Sequence, residues 1–138
     1  MRKDCQKRID EAYEYIGRAT QCLKDGSAYV ALCFFGRAAE LSEPVFRMYE
    51  HRCDWNENQE SKKWKSDWAA LGEAQEVWEI ADDLYESLYA LFTDDKNFRR
   101  SIYNWDEYRL IDECFAKIRP EEIRLFQGMD AKLNEAVA

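Results

Sequence analysis

The chain has 138 residues, of which 46% are hydrophobic and 14% aromatic, so it can bury a core and is not intrinsically disordered. Its formal net charge of −8 disfavours direct binding to nucleic acid, because contacts with phosphates need a basic surface. Only 5 Gly and 2 Pro interrupt it, and no apolar run reaches the roughly 18 residues of a membrane span, so we predict a single soluble helical domain over residues 1–138.

The first predicted helix covers about residues 3 to 24. Its apolar residues recur at steps of three and four and share one helical face: Ile9, Ala12, Tyr13, Ile16, Ala19 and Leu23. The helix is predicted to stop at Asp25-Gly26-Ser27, because Gly26 suits a left-handed C-cap and Ser27 can cap the next helix.

The second predicted helix starts near Ala28, and residues 29–35 are apolar on all sides. This pattern predicts a central position in the core, with Cys33 as a buried thiol. Pro44 has no amide donor, so we expect there either a kink or a new helix capped by Ser42. The polar residues 54–63 predict a surface loop, in which Trp55 either packs the loop down or anchors a partner.

The third predicted helix runs from Trp64 or Ser66 to Phe92. Its apolar positions alternate steps of four and three, as in a heptad seam: Ala70, Ala74, Val77, Ala81, Leu84, Leu88 and Leu91. A second stripe lies beside the seam: Trp68, Leu71, Trp78, Tyr85 and Phe92. One neighbouring helix cannot cover so wide a face, so we predict weak-to-moderate self-association into a homodimer through the apolar side.

Two further start signals follow in the sequence. Asn104 and Glu107 form a capping box that predicts a fourth helix, and Pro120 stands at the first position of a predicted fifth. Alternation of apolar and polar residues never persists as it does in a strand. The predicted fold class is therefore all-α, an up-and-down bundle of four or five helices.

The negative charge is concentrated in one segment. Residues 66–95 contain no Lys or Arg and nine acids: Asp67, Glu73, Glu76, Glu79, Asp82, Asp83, Glu86, Asp94 and Asp95. This surface is either a solvated helix face or a docking site for a basic protein surface, and it could also imitate a nucleic-acid backbone. For the docking interpretation, we assign partner binding to a set of exposed side chains: Glu73, Glu76, Glu79, Asp83, Glu86 and Trp55.

Catalytic and cofactor motifs are not found in the sequence. The chain has one His, no GxxxxGK or GxGxxG phosphate loop and no glycine-rich turn that presents a nucleophile. Its five Cys form no CxxC pair, and an odd set of widely spaced thiols is typical of reduced cysteines in the cytoplasm. We therefore predict neither a cofactor nor a metal site.

The segment from Ala12 to Pro44, AYEYIGRATQCLKDGSAYVALCFFGRAAELSEP, resembles the opening hairpin of HEPN-domain proteins and is similar to a single tetratricopeptide hairpin. The HEPN resemblance implies a bundle of four or five helices, often dimeric, and in many members a metal-independent ribonuclease. The family's catalytic pattern is an Arg, four to six residues and a His. Counting back from His51, those positions hold residues 44–46, none of them Arg, and Arg47 is one residue too close. The resemblance therefore implies the scaffold more than the nuclease.

Two functions follow from these observations. The first is a non-enzymatic interaction protein, an inhibitor or adaptor, that binds a basic protein surface through its acids. The alternative is a HEPN-like metal-independent ribonuclease or a toxin–antitoxin component with Arg47 and His51 as an atypical catalytic pair. In that case Arg47 would stabilise the charged phosphate, and His51 would position the attacking 2′-hydroxyl or act as the general base.

Overall fold

The computed structural model describes residues 1–55 and 62–92, which form three α-helices: α1 (Lys3–Lys24), α2 (Ala28–Trp55) and α3 (Lys62–Phe92). Within these two ranges no residue is in a strand, so the all-α class is confirmed for this part of the chain. The predicted fourth and fifth helices, and with them the number of four or five, lie outside the described residues. None of the three helices is long and apolar enough to cross a membrane.

Helix α1 begins and ends where the sequence predicts. Its buried face repeats the predicted spacing: Cys5, Ile9, Ala12, Ile16, Ala19 and Leu23. Tyr13, which we expected on that face, is 41% exposed. The predicted C-cap is confirmed, because Gly26 has a φ of 82° and the amide of Ser27 donates to the Cys22 carbonyl at 2.8 Å.

Helix α2 lies between the other two helices and contacts both of them extensively, whereas α1 and α3 contact each other little. Its Phe35 and Tyr49 are the largest fully buried side chains among the described residues. The prediction that the second helix is central is therefore confirmed. The expectation of burial on all sides is wrong at its start, where Val30 is 42% exposed and Cys33 is exposed. Among the described residues, α1 and α3 cover two flanks of α2 and do not cover these positions.

Pro44 lies inside α2, which continues from Ala28 to Trp55. The expectation of a new helix capped by Ser42 is wrong. Ser42 is fully buried, and its hydroxyl donates back to the Ala38 carbonyl at 2.8 Å, a bond typical of serine within a helix.

Helix α3 buries the predicted seam, and its described members are Ala70, Ala74, Val77, Ala81, Leu84 and Leu88. The second stripe is covered less evenly, since Leu71 is buried and Trp78 and Tyr85 are half-buried. Trp68 is 45% exposed and does not belong to the core. Helix α2 extends to Trp55 and α3 begins at Lys62, so residues 54–55 and 62–63 of the predicted loop are helical instead.

Candidate interaction surface

Six carboxylates of α3 form the surface that we call the acidic face: Glu73, Glu76, Glu79, Asp82, Asp83 and Glu86. Glu76 and Glu86 are exposed, and the other four are half-buried. Among the described residues, no Lys or Arg forms an ion pair with any of the six. Neighbouring carboxylates on one helix repel one another, so this surface carries charge that the described fold leaves uncompensated.

Asp67 is not part of the acidic face, although it is one of the acids of that segment. It is 5% exposed, and its Oδ2 lies 3.4 Å from the Nε of Arg52 on α2. At this separation the contact is an ion pair, and the same oxygen has no well-aligned hydrogen bond in the described part of the chain. The sequence contained the signal, because position 67 extends the seam of Ala70 and Ala74 by a step of three.

The N-terminal end of the acidic face contacts α1. The Glu73 Oε1 accepts a hydrogen bond of 3.2 Å from the Nε2 of Gln6. The pKa of Tyr13 is raised above its ordinary value by partial burial, and then by the negative charges of Glu76 and Glu73. Glu73 is thus partly engaged within the protein, and Glu76 is the first acid of the face that is turned to solvent.

The C-terminal part of the acidic face lies near α2. Burial raises the pKa of the Asp82 carboxyl, and Glu43 across the helix interface raises it further. The pKa of Asp83 is raised by burial and then by Asp82 and Glu79, and that of Glu86 by burial and then by Asp82. Each shift has the same physical cause, partial loss of water beside like charges, and an approaching cation would oppose it.

A stack of two aromatic rings and a guanidinium borders the acidic face on the α2 side. The rings of Phe46 and Trp78 are nearly parallel, at an angle of 10°, with their centroids 5.1 Å apart. The guanidinium carbon of Arg47 lies 4.8 Å from the Phe46 centroid and 5.1 Å from the Trp78 centroid. The indole Nε1 of Trp78 is buried, without a hydrogen-bond partner in the described ranges.

Arg47 is therefore engaged on several sides. Its Nη1 donates to Glu50 at 3.2 Å, and its Nε lies 3.7 Å from Glu43. His51 lies one helical turn further along α2 and is exposed, and its side chain makes no hydrogen bond or ion pair with another described residue. The two side chains of the alternative catalytic pair share a helix face, but the guanidinium is occupied by carboxylates, which repel a phosphate.

Trp55 ends α2, and its side chain lies outside the described residues, so its role as an anchor stays a prediction.

Burial is the main cause that raises the pKa of the Cys5 and Cys53 thiols, which disfavours the reactive thiolate. Within residues 1–55 and 62–92, no group of three or more His, Cys, Asp or Glu side chains is arranged to hold a metal ion.

Comparison with known protein families, with curated proteins and with solved structures found no match. The resemblance to HEPN-domain proteins stays a prediction based on the hairpin over residues 12–44. Functional inference for this protein therefore starts from the contacts and charges of its own residues.

Proposed function

We propose that the protein is a non-enzymatic interaction protein whose acidic face binds a basic surface of a protein partner, as an inhibitor or adaptor. The observation that supports this proposal is the set of six carboxylates on α3 without a cationic partner among the described residues. Three of them have raised pKa values, because partial burial and neighbouring carboxylates disfavour their charged form. A cationic partner would stabilise that charge.

The acids differ in how available they are to a partner. Glu76, Asp83 and Glu86 follow one another at spacings of seven and three on α3, and we propose that they form the centre of the contact. Glu73 is bound to Gln6, so it contributes less. Attraction between exposed charges accelerates encounter and is screened beyond about 8 Å at physiological ionic strength, so association is fast and sensitive to salt.

The test uses hexalysine as a defined cationic probe and measures its association rate at several salt concentrations. The triple variant Glu76→Lys, Asp83→Lys, Glu86→Lys is expected to associate more slowly than the wild type and to lose most of the salt dependence. The variant should remain folded, because removal of like-charge repulsion is neutral or slightly stabilising. Circular dichroism checks that the helices persist.

A matched control separates the acidic face from net charge. The variant Asp10→Lys, Asp25→Lys, Glu40→Lys changes the net charge by the same amount at three exposed acids on α1, after it and on α2. It should bind hexalysine nearly as well as the wild type. Equal loss in both triple variants would mean that the probe responds only to total charge, which would contradict the proposal. Unfolding of the first variant would show that those acids support the structure.

Self-association is a separate proposal, because it depends on the apolar side of α3. The described part of the seam on which we based the homodimer is buried within the chain, and Trp68 is the exposed large hydrophobic residue among the α3 side chains that the structure describes. We therefore propose that a second copy packs near Trp68. Light scattering at high protein and salt concentrations tests it, and a mass of only 16.5 kDa would exclude the dimer.

A further inference from the structure

The stack on the border of the acidic face contains the groups that recognise an arginine side chain. Two parallel rings, buried Phe46 and half-buried Trp78, contact a planar cation, the Arg47 guanidinium. Two carboxylates, Glu43 and Glu50, each lie within 3.7 Å of a guanidinium nitrogen of Arg47. Guanidinium groups stack on aromatic rings and pair with carboxylates, whereas the compact ammonium of lysine is more strongly hydrated and does not stack.

The arginine that fills this niche is held by weak contacts. The Arg47 side chain is 50% exposed, as are its carboxylate partners to a similar extent. Each carboxylate contributes one contact, so Arg47 lacks the two-pronged pairing that makes arginine–carboxylate contacts strong. Exposed ion pairs of this kind contribute little to stability. Arg47 can therefore leave the niche at small cost.

The local charge favours a second cation. Asp82 of α3 and Glu43 of α2 are close enough that Glu43 raises the pKa of Asp82. Glu43 and Glu50 thus lie beside the Arg47 guanidinium, and Glu43 also lies near Asp82 of the acidic face. A partner that approaches the acidic face with an arginine finds an aromatic surface beside an excess of negative charge.

We propose that Arg47 is an internal competitor: it occupies an arginine-binding niche formed by Phe46, Trp78, Glu43 and Glu50, and an arginine of the partner takes its place on binding. This inference rests on the proposed function and adds the kind of partner, one whose basic surface presents arginine rather than lysine. Arg47 then lowers the affinity of the free protein for that partner until its side chain moves aside.

The test compares two arginine variants with hexa-arginine as the probe. Arg47→Ala empties the niche, and Arg37→Ala is its matched control, since Arg37 is an exposed α2 residue paired with Glu40 at 3.3 Å. Both variants remove one positive charge. Arg47→Ala is expected to bind hexa-arginine about fivefold more tightly than Arg37→Ala does, the gain that corresponds to one exposed cation–π contact. With hexalysine, the two variants should differ by less than about twofold.

A second measurement uses the wild-type protein and so does not depend on a variant that folds. Titration with hexa-arginine should shift the Trp78 indole resonance in a nitrogen–proton spectrum, and hexalysine at equal saturation should shift it much less. Equal affinities of Arg47→Ala and Arg37→Ala, or an unmoved indole resonance, would overturn the niche and leave the proposed function intact. If hexa-arginine and hexalysine bind none of these proteins at low salt, the proposed function fails as well.

Discussion

Arg8 of α1 donates to the backbone carbonyl of Glu40, the acceptor that Pro44 leaves without its helical donor. The Nη2 of Arg8 lies 3.3 Å from the Glu40 oxygen, and its Nε lies 3.0 Å from the oxygen of Leu41. In a regular helix the amide of residue 44 would donate to the carbonyl of residue 40, but proline has no amide hydrogen. A side chain of the neighbouring helix thus replaces the missing bond, and α2 continues through the proline.

This relationship predicts that Arg8 and Pro44 are energetically coupled. Arg8→Ala should lower the free energy of unfolding by about 1.5 kcal/mol, because it removes charge-assisted hydrogen bonds to two carbonyls. In a Pro44→Ala background, where the restored backbone amide can donate to the Glu40 carbonyl, the same change should cost less by about 0.5–1 kcal/mol. Urea denaturation of the four proteins measures the coupling. Identical costs in both backgrounds would show that Arg8 acts independently of the proline.

A second prediction concerns three helical glycines. A Cβ on Gly36 would stand 3.1 Å from the ring of Tyr85 on α3, whereas a Cβ on Gly17 or Gly72 would meet no atom within 4 Å. Gly17→Ala and Gly72→Ala should therefore each stabilise the protein by about 0.5–1 kcal/mol through helix propensity. Gly36→Ala should instead destabilise it by about 1 kcal/mol, because the half-buried Tyr85 ring must shift to admit the added methyl group. Thermal melts rank the three variants, and a stabilising Gly36→Ala would refute the close contact.

The ion pair between buried Asp67 and half-buried Arg52 should contribute more to stability than an exposed pair. Asp67→Ala is expected to destabilise the protein by about 2 kcal/mol, since Arg52 would lose its partner in the α2–α3 interface. Glu14→Ala provides the control, because Glu14 forms an exposed pair with Arg18 at 2.7 Å. Its loss should cost about 0.5 kcal/mol or less. Chemical denaturation distinguishes the two, and equal costs would mean that burial of Asp67 adds nothing.

Neutralisation of the acidic face should change how stability depends on pH. The folded pKa values of Asp82, Asp83 and Glu86 lie above their ordinary values of 3.8, 3.8 and 4.5. The folded state therefore binds protons more readily than the unfolded state, so these groups lower stability as pH rises through that window and keep doing so at pH 7. Asp82→Asn, Asp83→Asn, Glu86→Gln should melt higher than the wild type at neutral pH.

The difference in melting temperature should shrink as the pH falls through the raised pKa values, because the wild-type carboxyls then become neutral too. Melts at pH 7 and at about pH 4 measure this difference. A difference that is independent of pH would indicate that the substitutions act through packing and not through charge.

Ribonuclease activity is not expected. Arg47, the residue that would bind the phosphate, lies beside Glu43 and Glu50, whose negative charges repel a phosphate whether or not the guanidinium pairs with them. Purified protein incubated with RNA should leave it intact, as measured by gel electrophoresis, and His51→Ala should behave identically. Cleavage by the wild type that disappears in His51→Ala would replace the proposed interaction function with the HEPN-like alternative.

The sequence predicted α1 well because its buried face depends on one periodic stripe and its end on Gly26, both of which are local signals. It also predicted that α3 concentrates the acids. Pro44 was harder, since its outcome depends on Arg8, which is distant in the sequence. The contact of Arg47 with Trp78 joins α2 and α3, and no local pattern in either helix sequence predicts it. Local periodicity thus identified the elements, and contacts across helices decided the chemistry.

The central position of α2 has a consequence for how fast this helical unit forms. Each large helix–helix interface joins elements that are adjacent in the sequence, α1 with α2 and α2 with α3. Short chain separations require little loop closure before contacts form, and proteins rich in such contacts fold within microseconds to milliseconds. The three helices should therefore assemble by successive pairing onto α2. Asp82 of α3 would approach Glu43 only in the step that pairs α3 with α2, so the like-charge repulsion between them arises together with that interface.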